Sequence, residues 1–223
     1  MMNIKLNDFE KYAVSKGIGT NTLNSYNNVI SPMILEERHM NVTAIDIYSR
    51  LMYDKIIFLG TGIDDTVANI INAQLLYLNS ISDKDETIKM FINSGGGSVI
   101  DGLSIYDTMN FVAPDVSTYC LGMAASMASV LVSSGVKGQR YALPNSTVMI
   151  HQVSSGTGHV QNADLQIVAK ESQKWQNKLY NILAKNTGKS FEDIERDADR
   201  DNWMTAEEAV NYGLIDEIIE KQN

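Results

Sequence analysis

Only three histidines occur in the 223 residues, so the search for a general base is short. His39 sits in Glu36-Glu37-Arg38-His39, a charged run expected to be solvated. His159 follows Gly156-Thr-Gly158 and is expected to be exposed. His151 directly follows the apolar run Thr147–Ile150, at the end of a strand, where the functional groups of α/β sheets collect. Among the serines, Ser126 stands out in Gly122-Met-Ala-Ala-Ser126-Met-Ala-Ser, at the start of a helix that follows a strand. Small neighbours let a substrate backbone approach, and a helix N-terminus favours developing negative charge. A small residue in a packed helix would explain Ser126 if it stood alone, and a lone histidine is more often structural. Together, with a dense acidic cluster further on, they point to nucleophilic catalysis. A hydroxyl is too weak a nucleophile at neutral pH without an adjacent base.

Two other motifs invite chemistry. Gly95-Gly96-Gly97, between a strand and a helix, could cradle a phosphate. The dinucleotide fingerprint would need glycine at 100, where Ile100 stands, and no lysine between Lys89 and Lys137 can complete a P-loop. Three glycines in a row would leave backbone N–H groups exposed at a strand end, which suits an oxyanion; a tight strand-to-helix connection is the plain alternative. Asp197-Ala-Asp199-Arg-Asp201-Asn-Trp-Met-Thr-Ala-Glu-Glu208 spaces its acids as a calcium loop does. However, Asn202 replaces the glycine of the sharp turn, Arg200 adds a cation, and no second loop exists.

The elements that would position these residues follow from hydrophobic patterning. Ile56–Leu59 reads as a buried strand, and Asp64/Asp65 cap a helix through Val67, Ile70, Ile71 and Leu75. Ile88–Asn93 is a strand, followed by a helix through Leu103, Ile105 and Met109. Val116–Leu121 is a strand, Met123–Gly135 a helix and Thr147–Ile150 another strand. Alternating strands and helices predict an α/β fold with parallel strands. A long polar helix over Ala163–Asn186 lies apart from this repeat and looks like a protruding element for partner contact. Regular structure is expected to begin near Ala44. Residues 1–29, with six asparagines and weak periodicity, read as an extension, arm or removable leader.

The chain of 24.7 kDa suits one domain with an appendage. With 44% hydrophobic and 20% charged residues, it is not a disordered chain. Eighteen Lys+Arg against 27 Asp+Glu give a net charge of −9, which argues against a nucleic-acid surface. The single cysteine, Cys120, excludes an intrachain disulfide and a cysteine-rich zinc cluster, and suits a reducing compartment. Val116–Val136 carries no charge and is long enough to span a bilayer, yet its serines and Gly122 favour a buried strand and helix. The N-terminus has no signal-peptide core.

Several segments, at nearly constant spacing, resemble the proteolytic subunit of the Clp protease family, ClpP. They are Asp46-Ile-Tyr-Ser-Arg-Leu, Ile56-Ile-Phe-Leu-Gly, Phe91-Ile-Asn-Ser-Gly-Gly-Gly, Ser104-Ile-Tyr-Asp-Thr-Met, Pro114-Asp-Val-Ser-Thr, Gly122-Met-Ala-Ala-Ser-Met, Met149-Ile-His-Gln and the tail from Ile194-Glu-Arg-Asp to Tyr212-Gly-Leu-Ile-Asp. The resemblance runs from about Ile30 to Ile219. It implies a ClpP/crotonase-like α/β fold with repeated βα units, a peptidase domain over 30–223 and a handle helix at about 160–186. By position, it implies Ser126 as nucleophile, His151 as base and Asp201 as the acid that orients it. Gly97 and Met127 then supply the oxyanion hole, Arg200 a ring-to-ring contact and Phe91 a docking position for an unfoldase.

The resemblance further implies an ATP-dependent serine endopeptidase of protein quality control, in the cytoplasm, built as two stacked heptameric rings of this chain. Unfolded polypeptides would be delivered by an AAA+ unfoldase of the ClpX/ClpA/ClpC type, which uses the ATP. The chain itself would need no cofactor and no metal, and would engage neither nucleic acid nor membrane. Gly95, Ser98, Ala128, Val153-Ser-Ser and Lys89 depart from the family pattern, so a non-catalytic subunit of a mixed ring is the alternative. In the family, leaders are removed by the assembled enzyme, so self-cleavage near Asn27–Ser31 is expected. Intact-mass spectrometry should find the wild type shorter by roughly thirty residues and Ser126→Ala full length; identical masses would refute self-processing.

Overall fold

The computed structural model describes residues 33–38, 41–154 and 161–220. His39, His159 and residues 1–29 with their expected cleavage site lie outside them. Met33–Arg38 (β1) and Asn41–Asp46 (β2) pair antiparallel as a two-stranded ribbon, so regular structure starts earlier than Ala44. Asp46 then caps Ile47–Tyr53 (α1), its carboxylate accepting the Ser49 N–H at 2.9 Å.

The repeat of strand and helix follows as Ile56–Leu59 (β3), Asp65–Ile81 (α2), Ile88–Ser94 (β4), Val99–Phe111 (α3), Val116–Ala125 (β5) and Met127–Ser133 (α4). Two of these helices begin at a side-chain cap. Asp64 accepts the Val67 N–H at 2.8 Å to begin α2, and Ser98 accepts the Asp101 N–H at 3.4 Å to begin α3. Strands β3, β4 and β5 are parallel, and Arg140–Ala142 (β6) and Glu217–Ile218 (β9) extend the sheet beyond β5. Ile88, Met90 and Ile92 of β4 point into the core against Ile71, Leu75 and Leu78 of α2 and Ile105 and Met109 of α3. On the other face Phe91, Tyr119 and Tyr141 stand in register across three strands. Their rings stack at 4.5 and 4.9 Å.

The expected helix over Met123–Gly135 begins only at Met127, because β5 continues to Ala125. Thr118–Cys120 of β5 pair with β6, and Met123–Ala125 pair with Thr147–Ile150 (β7). Gly122, at φ +69°, is the joint between the two pairings. The alanines that look helical are held by a ladder bond that local propensity does not reveal. The uncharged run Val116–Val136 is thus divided between β5 and α4. Among the described residues, no helix is long and apolar enough to cross a membrane.

The remainder comprises Asn162–Thr187 (α5), Phe191–Asp197 (α6), Asn202–Thr205 (β8) and Ala206–Tyr212 (α7). Helix α5 buries only Leu179, Tyr180, Ile182 and Leu183, all in its C-terminal half, while Leu165 and Ile167 are exposed. Its first half therefore stands away from the core, as its polar sequence predicts.

Arg140 ties these elements together. Its buried guanidinium forms a bidentate pair with Asp216 and donates to the carbonyls of Ser133, Asn186 and Gly213, at 3.3, 2.9 and 2.9 Å. Burial pushes the Asp216 carboxyl up. Hydrogen bonds from the Arg140 side chain, with the backbone N–H groups of Arg140 and Gly138, outweigh that and hold it below the usual carboxylate range. Removing one partner of a buried pair leaves an uncompensated charge, so Arg140→Met should cost about 3–5 kcal/mol in urea unfolding. A depressed Asp216 stabilises the fold above the unfolded carboxylate pKa of about 3.9 and loses that stabilisation as pH falls through its folded value. Stability of Asp216→Asn should therefore change less than wild type as the pH is lowered below 5.

Candidate active site

Ser126 joins β5 to α4 with φ 56° and ψ −126°, a backbone conformation that a serine rarely adopts. Three bonds hold it: its N–H donates to the Met149 carbonyl at 2.9 Å, and its carbonyl accepts from the Ser129 N–H at 3.0 Å and the Ser129 hydroxyl at 2.6 Å. The result is a sharp strand-to-helix elbow at the C-terminal end of β5.

Register brings the other two groups to this point. Ala125 pairs with Met149, so Ser126 and His151 emerge from adjacent strands at the same end. His151 Nε2 lies 2.8 Å from Ser126 Oγ. Strand β8 runs antiparallel to β7, with Ile150 opposite Asn202, so one step further sets Asp201 across from His151. His151 Nδ1 and Asp201 Oδ1 are 3.4 Å apart, longer than a good hydrogen bond. The His151 side chain is 23% exposed and that of Asp201 61%, so the imidazole is shielded and the carboxylate faces water. Gln152 Nε2 donates to the Asp199 carbonyl at 2.7 Å and fastens the turn that carries Asp201.

The triple glycine is clamped between two backbones. Ile63 N–H donates to the Gly96 carbonyl at 2.8 Å, and Ser98 N–H donates to the Ile63 carbonyl at 2.9 Å. Gly96, at φ +87°, lies so close to the elbow that a Cβ there would sit 2.6 Å from the Ala125 oxygen, 2.7 Å from Ser126 Cβ and 2.8 Å from Met127 N. This contact fixes the Gly97 and Met127 segments side by side. Both residues line the pocket that holds Ser126 and His151. The Met127 side chain runs over Gly102 of α3, where a Cβ would lie 2.2 Å from Met127 Cγ. Neither Gly102 nor Ile63 stood out in the sequence, although a glycine inside a helical pattern is a signal of close packing. Val130, Ile150, Val153, Leu179, Tyr180 and Leu183 give the pocket an apolar flank. The contribution of α5 could not be read from local patterning.

The remaining candidates lie elsewhere. The calcium reading does not survive: Asp197 ends α6, residues 198–201 form a short turn, and residues 202–208 form strand β8 and the first turn of α7, so the twelve residues are not one loop. Asp197 accepts from Tyr212 and Arg196, and Glu208 closes a capping box with Thr205. Among the described residues, no group of three or more His, Cys, Asp or Glu side chains is arranged to hold a metal ion. Arg200 is 81% exposed and touches Asp199. Phe91 belongs to the aromatic row on the open face of the sheet, with exposed Lys89 two residues before it. Cys120 is buried, which pushes its thiol up to about 11 and leaves it unreactive. Of the departures from the family pattern, Ser98 caps α3, Ala128 is fully buried in α4, and Val153 lines the pocket.

Comparison with known proteins shows the family. The family model described as Clp protease matches residues 38–222. A Bacteroides fragilis protein named ATP-dependent Clp protease proteolytic subunit is 52% identical, over 97% of this chain and 100% of its own. The protein of that name from Porphyromonas gingivalis is 52% identical over 97% and 99%, and that from Bacteroides thetaiotaomicron 50% over 97% and 100%. The chain belongs to the Clp protease family.

Proposed function

We propose that this proteolytic subunit, a hydrolase, cleaves peptide bonds by two-step acyl transfer at Ser126. The observation that carries the reading is the 2.8 Å contact between His151 Nε2 and the hydroxyl of a serine held in a strained elbow. His151 takes the Ser126 proton as Oγ bonds to the substrate carbonyl carbon. The N–H groups of Gly97 and Met127 support the resulting oxyanion. His151 then passes its proton to the leaving nitrogen, the peptide C–N bond breaks, and an acyl-serine remains. Water, deprotonated by His151, attacks that ester, and Ser126 leaves with the proton restored. Asp201 keeps Nδ1 protonated and facing it, so Nε2 is the basic nitrogen. The sequence of steps requires neither cofactor nor metal.

The relatives' name, ATP-dependent, supports an ATPase partner and assembly with copies of this chain. We assign the ATP to an AAA+ unfoldase of the ClpX/ClpA/ClpC type, which docks at the aromatic row of Phe91, Tyr119 and Tyr141. Two stacked seven-membered rings would meet through the exposed half of α5 and through Arg200, with unfolded polypeptides as substrates. The single buried cysteine favours a reducing compartment such as the cytoplasm, and residues 1–29 would be a leader outside the peptidase domain of 30–223.

A fluorophosphonate should label the wild type once, at Ser126, and Ser126→Ala should lose both labelling and hydrolysis of a fluorogenic peptide while assembling normally. Labelling elsewhere would sink the assignment. Asp201→Asn should lower kcat by about 10⁴ through the wrong imidazole tautomer. Gly96→Ala, which must push Met127 N away from the elbow, should lower kcat by at least about 10²; full activity there would remove the oxyanion role of this loop.

A further inference from the structure

Beside the Ser126 pocket lies a second groove of ≈ 330 Å³, between the start of α3 and the exposed half of α5. Val99, Ile100, Val153, Val168 and Trp175 give it apolar walls. Val99, Val153 and Ser154 line both this groove and the pocket of Ser126 and His151, so the two are continuous. Trp175 is partly buried and packs against the core, which fixes its position. Lys178 Nζ lies 5.5 Å from its ring centroid and restrains the indole further. Glu171 is the charged group on the lining, and Lys174 pairs with it at 2.7 Å. The groove therefore presents apolar surface with its acid compensated. An extended polypeptide advances about 3.3 Å per residue. A chain with its scissile bond at Ser126 would bring a side chain one to three residues away into this groove.

We propose that Trp175 determines substrate preference, as the wall of a subsite that takes a bulky apolar side chain (Leu, Ile, Met or Phe) of the bound polypeptide, near the scissile bond but not at it. The inference rests on the acyl-transfer reading of Ser126. Trp175 acts through binding alone, by burying apolar area that only a large side chain can cover. Its position on α5, outside the repeating βα units, lets it vary without disturbing the elbow, the base or the glycine loop.

The test uses the full-length assembled protein as wild type, Trp175→Ala and Trp175→Phe. Cut sites in casein are mapped by mass spectrometry, and kcat/KM is measured for fluorogenic peptides exchanging Leu for Gly at one position at a time. Wild type should prefer Leu at one position away from the scissile bond. Trp175→Ala should reduce that Leu-over-Gly ratio roughly tenfold at that position alone, and Trp175→Phe should keep most of it. Unchanged ratios in the alanine variant, or an equal fall at every position, overturn the proposal. So does a change in assembly mass without a change in preference, which would make the groove a seat for a second copy. Failure of the underlying reading is separately visible: the wild type would then not react with a fluorophosphonate at Ser126.

Discussion

A buried guanidinium holds the architecture together. Arg140 lies where the last turn of α4, the last turn of α5 and the residue that ends α7 converge, and these helix ends leave carbonyls without intrahelical partners. Their partial negative charges meet one delocalised cation whose planar fork can serve several acceptors at once, which an ammonium could not do as well. Asp216 neutralises the charge and, through Gly138 and Arg140, fastens β6 to the start of β9. Asn186 adds bonds to Ser133 and Ser134 at the same junction. Such a pair is a modest net source of stability, because both charges were taken out of water. Its larger effect is to penalise any arrangement that separates the three helix ends.

With those ends fixed, the strained part of the molecule can be carried. Ser126 sits in an unfavourable backbone region that persists only because neighbours on every side define it: Met149 through the ladder, Ser129 through the helix start, and Gly96 through direct contact. The strain serves a purpose, since a serine in ordinary helical geometry would turn its hydroxyl along the helix surface. The absence of a side chain at Gly96 and Gly102 matters for the same reason. It lets the glycine loop and α3 approach the elbow closely.

Asp201 is far more open to water than His151. Asp201 is mostly exposed and 3.4 Å from its histidine, next to an Arg200 side chain that reaches into solvent. The core side, by contrast, is closed by α2 and α3, whose buried faces match the inward residues of β4.

Much of this was legible in the chain itself. Capping residues such as Asp64, the apolar run from Ile88, and the polar course of α5 are local signals, and these three elements formed where their patterns placed them. Ser126 and His151 stood out by type and by their position at strand ends. Asp201 did not; no spacing links it to His151, and it was reached through resemblance to the Clp family. Tertiary structure decided the rest. Whether β5 ends at Leu121 or Ala125 depends on β7, a partner more than twenty residues away. The approach of Asp201 to His151 depends on β8 pairing antiparallel with β7, fifty residues before it. Periodicity reports which face of an element is buried, but not against what. Strand pairing, the glycine contacts with the elbow and the convergence on Arg140 are choices of partner, and those are fixed only when the whole chain has packed.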